Sequence, residues 1–369
     1  MQIPFLDLSS QTNQVAAAFL EKVESLTKSN SFIGGLPVTQ FEEDFANYCG
    51  TAHCVALNSG TDGLRLGLLA AGAEASRTVI TSPFTFIATA EAISQTCKLD
   101  LADVDFETFT LSPSAVAERL TSRTQGILPV HIFGLASEMP ELQRLAAERG
   151  LFVLEDACQA HGASVVGTRV GGSGIGAAFS FYPSKNLSAF GDAGAFTTND
   201  AEIAEKVRVL RNHGQTGPYY HELEGFNSRM DTFQAAVLGL KLRFLDQWNN
   251  RRREIARVYR ERLGRIPDVR FQRIPEGYEH VYHVFALLVG DSRDRLASHL
   301  ADQGIDTRVI YPTPIHLMPA YKHLGYQPGD FPNSERISRE VLCLPMYPGL
   351  TDPEVEFVAS EVSAFFGGK

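Results

Sequence analysis

Residues 177–196 read AAFSFYPSKNLSAFGDAGAF and hold one basic residue, Lys185, among aromatic, small and apolar neighbours. Lysine is almost never fully buried without a partner or a chemical role. Apolar runs flank it: AAFSFYP (177–183) before, and GAFTT (194–198) just after. Each has the length of a buried strand bounded by small residues. The loop between them is made of PSKN and SAFGDAGA.

Working outward, the same type of run recurs at HCVAL (53–57), TVITS (78–82), GILPVHIFG (126–134) and LFVLED (151–156). Amphipathic stretches lie between them. In EMPELQRLAAERG (138–150), Leu142, Leu145 and Ala146 share one helical face. Strand, helix, strand repetition from about residue 50 to 245 predicts an α/β fold whose mostly parallel sheet is covered on both faces. Residues 231–263 read as one long helical segment, whose central LKLRFLDQWNNRRREIARVYRERL (240–263) carries no breaker. Beyond LGRIPD, the pattern restarts with a strand (YHVFALLVG, 282–290), a helix (RDRLASHLADQG, 293–304) and a strand (TRVIY, 307–311). A large domain over 1–245 and a smaller α/β domain over 246–369 are expected. The length of 369 residues agrees with about two domains.

The chain is 44% hydrophobic and 21% charged, with a formal net charge of -10. An acidic balance argues against a general nucleic-acid binder or a partner at an anionic membrane, because both need a basic face. It leaves room for a local basic pocket. The first residues, MQIPFLDLSS, lack the basic and apolar runs of a signal peptide, and no stretch has the length of a membrane span. The five cysteines form no C-x-x-C, which predicts neither a disulfide framework nor a zinc site and fits a reducing cytoplasm. Cys158 follows Glu155-Asp156, whose charges would raise a thiol's pKa; inert packing is its expected role.

Three stretches carry candidate chemistry. In LFVLEDACQAHGA (151–163) a strand ends in Glu155-Asp156, with Gln159 shortly after. Ligands of open α/β sheets collect at the carboxyl ends of strands, where a carboxylate can hold a cationic ring nitrogen or a ribose hydroxyl. A helix N-cap is the ordinary alternative for such an aspartate. In LNSGTDGLRLGLLAAG (57–72) a strand breaks at Asn58-Ser59-Gly60-Thr61 before a helix, which makes either an anion site or a plain capped helix. It lacks the lysine of a P-loop, which disfavours a nucleoside triphosphate. GGSGIG (171–176) has the wrong spacing for a dinucleotide loop and no following helix pattern. The third stretch is Lys185 itself. An amine in a dry pocket loses its proton readily and attacks carbonyls, so an aldehyde cofactor would use it as a Schiff base. Pyridoxal phosphate further needs an acid for its ring nitrogen, a phosphate cup and a stacking face. Asp156, the Ser59-Gly60-Thr61 turn with Ser180, and an aromatic of PFTFIATA (83–90) could supply them.

The sequence here closely resembles the sugar aminotransferases of the DegT/DnrJ/EryC1/StrS family, which have the aspartate-aminotransferase-like fold type I. The resemblance covers nearly the whole chain. It rests on IPFLDL, NSGTDGL, PFTFIATA, PVHIFG, VLEDACQAHGA, FSFYPSKNL, GDAGAFTTND, GFNSRMDTFQAAVL and YPTPIHLMPAY. Cys158 fills a place the family leaves variable. The resemblance implies a seven-stranded type of central sheet and pyridoxal phosphate as cofactor, with pyridoxamine phosphate as its intermediate form. It makes Lys185 the residue that binds the aldehyde and moves protons, and Asp156 the partner of the ring nitrogen. Gln159 would touch the ring's 3-hydroxyl side. Gly60, Thr61 and Ser180 would hold the phosphate, and Phe86 would stack on the ring. Asn227 would reach the phosphate in the neighbouring subunit of a homodimer with shared active sites. Arg229, Tyr311 and His316 would contact the substrate.

Ordinary readings stand beside these. Phe86 suits a core aromatic. His280 and His283 form an H-x-x-H inside a strand pattern without further ligands, so a structural role is expected. His131 suits either the pocket or the core, and Arg251 to Arg253 suit a solvated helix face. The implied reaction takes the amino group of L-glutamate and passes it to a nucleotide-linked keto sugar, with C3 of a dTDP-3-keto-6-deoxyhexose favoured. C4 amination and UDP-linked sugars are the alternatives. A sugar dehydratase of the same family would have replaced Lys185. A non-catalytic aminosugar sensor is the alternative from another class, and the intact Lys185 and Asp156 speak against it.

Overall fold

The computed structural model describes residues 2–367. Its central sheet has seven strands. They run in the order His53–Leu57, Gly194–Thr198, Gly176–Ser180, Phe152–Asp156, Thr124–Ile127, Thr78–Thr81 and Lys98–Leu101. Gly194–Thr198 pairs antiparallel with both its neighbours, and the other pairings are parallel. Both faces are buried, so the strands read as apolar runs rather than alternating ones. Val55, Leu57, Ala178 and Phe196 pack under helices Gly60–Ala70 and Ala201–Arg211. Cys54, Ala56, Ala177 and Phe179 pack against helices Leu36–Cys49 and Thr232–Leu242 on the other face.

A second, three-stranded antiparallel sheet joins Arg270–Phe271, Phe285–Leu288 and Val341–Leu344. Helices Leu245–Leu263, Arg293–Asp302 and Asp352–Phe365 cover it. Ile3 joins this core, its N–H donating to Gly304 O at 2.8 Å.

Three expectations are corrected. The segment 231–263 is two helices, Thr232–Leu242 and Leu245–Leu263. No proline or glycine marks the break. The N–H of Phe244 turns back to the Lys241 carbonyl at 3.0 Å, a three-residue closure that redirects the chain. TRVIY contributes only the bridge between Arg308 and Cys343, not a sheet strand. Pro312 and Pro314 follow it and have no N–H to give a ladder. The strand beside Phe285–Leu288 is instead Val341–Leu344, and Lys98–Leu101 is a further strand the sequence did not disclose.

Candidate active site

Parallel strands deliver their last residues to one edge of the sheet. Asp156 ends Phe152–Asp156 and Ser180 ends Gly176–Ser180; Ser59 follows His53–Leu57. A cavity of about 420 Å³ lies there, lined among others by Ser59, Gly60, Thr61, Phe86, Asp156, Gln159, Ser180, Lys185 and Tyr311.

The neighbours Glu155 and Asp156 point to opposite faces, as successive strand residues must. Glu155 is buried in the core and accepts from His131 Nε2 at 2.9 Å and from the Ser173 N–H at 2.8 Å. His131 is therefore a satisfied core histidine, its Nδ1 accepting from the Ser137 N–H at 3.1 Å. The GGSGIG loop serves as a backbone cap for this carboxylate. Asp156 faces the cavity, its Oδ2 accepting from Thr89 Oγ1 at 2.8 Å and its Oδ1 from the Cys158 N–H at 3.2 Å. Among the described residues no cationic side chain pairs with it.

Lys185 is half-buried on the same cavity. Burial pulls its amine below the ordinary lysine range, while Cys158 and Asp156 push the other way. Burial, followed by the Asp156 charge, drives the Cys158 thiol well up, which keeps it protonated and unreactive. Gln159 Oε1 accepts from the Phe133 N–H at 2.7 Å, and its Nε2 donates to the Tyr311 hydroxyl at 2.9 Å. The second N–H of that amide remains for a ligand.

Ser59 caps helix Gly60–Ala70, its Oγ accepting from the Asp62 N–H at 3.1 Å. The first amides of a helix lack intrahelical partners and attract anions. Gly60 sits so close to the wall that a Cβ would lie 2.7 Å from Cys158 Sγ and 2.8 Å from Ser180 Cβ. Phe86, before helix Ile87–Ser94, is 55% exposed, so it is not a core aromatic. Its ring tilts toward Tyr311, centroids 6.2 Å apart.

Three proposed contacts do not meet in this cavity. Asn227 is exposed at the surface. Arg229 Nη1 donates to Asn212 Oδ1 at 2.7 Å and lines a separate cleft with Arg208 and Arg211. His316 is buried behind the wall, with Nε2 bonded to Glu335 at 3.1 Å and its ring against Phe331. It is not among the residues that line the cavity. Conversely, His283 lines the cavity, and His161 lies fully buried close to Lys185. The H-x-x-H spacing had hidden this difference: His280 is held by Gln272 at 3.0 Å, and only His283 reaches the site. Arg252 is also corrected. It is no solvated residue but buried, donating to the carbonyls of Met346 at 2.8 Å and Tyr282 at 3.1 Å, and burial lowers it to about 9.

The family profile described as DegT/DnrJ/EryC1/StrS aminotransferase family matches residues 13–363. The chain belongs to that family. With membership come transamination, the fold type I architecture and the pyridoxal phosphate cofactor. A dTDP-3-amino-3,4,6-trideoxy-alpha-D-glucose transaminase of Streptomyces venezuelae is 41% identical, over 96% of this chain and 93% of its own. A protein of Geobacillus stearothermophilus named pleiotropic regulatory protein is 39% identical, over 99% of each chain. The crystal structure of DesV from S. venezuelae in complex with a ketimine intermediate superposes with a TM-score of 0.96. That chain is 40% identical, with 99% of this chain and 98% of that one covered.

The aminotransferase cavity fits the cofactor on its own features. Asp156 is a buried carboxylate held by two donors and, among the described residues, in no ion pair. The Gly60 cradle has no room for a side chain beside a helix N-terminus, and Lys185 is an amine whose burial favours its neutral form.

Proposed function

We propose that this aminotransferase moves the amino group of L-glutamate to C3 of a dTDP-linked 3-keto-6-deoxyhexose. The observation that carries the reading is Lys185 and Asp156 on one small cavity at the strand ends. When bound, pyridoxal phosphate supplies an aldehyde carbon for amines and a ring that takes up the electron pair left by a lost proton. Asp156 would hold the ring nitrogen in its protonated form, and Thr89 with the Cys158 N–H keeps that carboxylate in place. The Ser59-Gly60-Thr61 turn and Ser180 would hold the phosphate. Gln159 would bind the 3-hydroxyl side, and Phe86 would cover the ring. Lys185 Nζ would take the proton from the amine-bearing carbon and return it at the cofactor. Burial eases Lys185 toward the neutral form that this task needs, since an ammonium has no lone pair to accept with.

The C3 position draws on the 3-amino product named for the Streptomyces relative, and the dTDP carrier on the same name. A homodimer completes the site in this reading. Asn227 stands exposed as a reach into a neighbour requires, and Phe32, Ile33 and Leu36 form an exposed apolar segment that a partner would cover. Arg229 would face the substrate's diphosphate from the same surface. The domain division at 245/246 and a cytoplasmic setting belong to this reading; among the described residues no helix is long and apolar enough to cross a membrane.

The test is the reverse half-reaction. The enzyme is loaded with cofactor and its visible absorption followed. Bleaching by a dTDP-3-amino-6-deoxyhexose but not its 4-amino isomer supports the proposal. Bleaching by the 4-amino sugar alone moves the chemistry to C4. Bleaching by glutamate alone directs the search to UDP-linked sugars. A regulatory reading rests on the name of the Geobacillus relative; a purified chain that stays colourless with added pyridoxal phosphate would favour it.

A further inference from the structure

Behind Lys185 runs a chain of buried amides. Asn249, on helix Leu245–Leu263, donates from Nδ2 to the His161 carbonyl at 2.8 Å. Its Oδ1 therefore faces Asn186, whose Nδ2 donates to it at 2.8 Å and to the Val281 carbonyl at 2.9 Å. Backbone carbonyls only accept, so both amides have one orientation. Asn186 is left with an oxygen toward His283 Nδ1, at 3.3 Å. That nitrogen must carry the proton. The groups around His283 are Lys185, Arg252 and His161; burial and these neighbours hold the ring well below its ordinary range, hence neutral. A neutral ring protonated at Nδ1 is bare at Nε2. Among the described residues the ring's one side-chain hydrogen bond is at Nδ1, and His283 lines the cavity with Lys185.

The two substrates of a transaminase are dissimilar and use one cavity in turn. The donor that glutamate and the aminated sugar product share is the reacting amino group. We propose that His283 Nε2 is the cavity's acceptor for that amino group, held as a bare nitrogen by the Asn249–Asn186 amide chain. The bond orients the nitrogen next to Lys185 in both half-reactions. This inference rests on the aminotransferase reading above but concerns a residue which that reading does not use.

The first measurement uses cofactor-free wild-type protein labelled with ¹⁵N-histidine. His283 is expected to show a protonated Nδ1 and a bare Nε2 at neutral pH; the opposite tautomer overturns the inference. The second uses variants in single-turnover bleaching. His283→Asn keeps a donor toward Asn186 and removes the Nε2 position. It is expected to slow bleaching by glutamate and by the amino sugar alike, each about 10-fold. His283→Gln places an amide oxygen near the Nε2 position and is expected to retain more of the rate. A loss confined to one substrate, or His283→Asn bleaching at the wild-type rate, sinks the inference while leaving the aminotransferase reading intact. A wild type that no amine bleaches sinks the reading itself.

Discussion

Two lysines are enclosed in this molecule within one loop's reach of each other, and they are not alike. Lys241, 2% exposed, donates to the Ser188 carbonyl at 2.9 Å and the Ser188 hydroxyl at 3.0 Å. Its ammonium also sits 4.4 Å from the Phe190 ring centroid. Lys185 has no acceptor within hydrogen-bond distance among the described residues, and opens onto a cavity facing Asp156. Burial lowers both amines, Lys241 to about 8. The shift alone thus does not separate a reactive lysine from a structural one. What differs is that Lys241 spends its N–H groups on the protein, whereas Lys185 has none so spent among the described residues and lines a cavity. Lys241 in fact holds the loop that carries Lys185, together with Gln234, whose Oε1 accepts from the Phe190 N–H at 2.9 Å.

This contrast can be broken experimentally. The largest effect is expected from Lys185→Ala, with transamination falling at least about 1,000-fold while thermal unfolding stays near wild type. An active Lys185→Ala protein would erase the distinction. Asp156→Asn is expected to cost about 100- to 1,000-fold in turnover, measured as the bleaching rate with glutamate, because a neutral amide no longer favours the charged ring. Gly60→Ala drives a Cβ into Cys158 and Ser180. A loss of about 1–3 kcal/mol is expected, seen as weaker cofactor binding in a fluorescence titration and a lower Tm.

Lys241→Ala reverses the pattern of Lys185→Ala: turnover changes by less than about 10-fold, but stability drops by about 2–4 kcal/mol in urea unfolding. Its pH dependence sharpens the comparison with the smallest signal. The folded pKa of Lys241 lies near 8, below the unfolded value of 10.5. Between these the unfolded chain binds more protons, so this group makes wild-type stability rise with pH. Below pH 8 both states are protonated and its contribution is constant. The wild-type advantage over Lys241→Ala should therefore widen from pH 8 to 10.5. A constant difference would mean that Lys241 is not titrating from a buried position.

Much of the site was legible because its residues sit at the ends of apolar runs. Asp156, Ser180 and Ser59 each follow a strand, and open α/β sheets gather ligands at those ends. Lys185 stood out as the lone charge between two such runs. His283 and Arg252 were not legible because each depends on groups distant in the chain: Asn186 for His283, and the carbonyls of Tyr282 and Met346 for Arg252. The helix break at 243–244 was not legible because no proline or glycine marks its local closure. Three arginines in a row on a helix look alike until the surface behind them is known.

The sequence by itself determined the strand and helix alternation and singled out Lys185, and through its resemblance it pointed to the family and the cofactor. The alternation follows from local periodicity, the resemblance from long ordered motifs. Tertiary structure alone decided that Glu155 turns into the core beside Asp156, and that His283 and not His316 lines the cavity. It also set which nitrogen of His283 is bare. Burial and hydrogen-bond polarity are properties of what surrounds a side chain, and in this fold those surroundings come from residues tens of positions to nearly a hundred away.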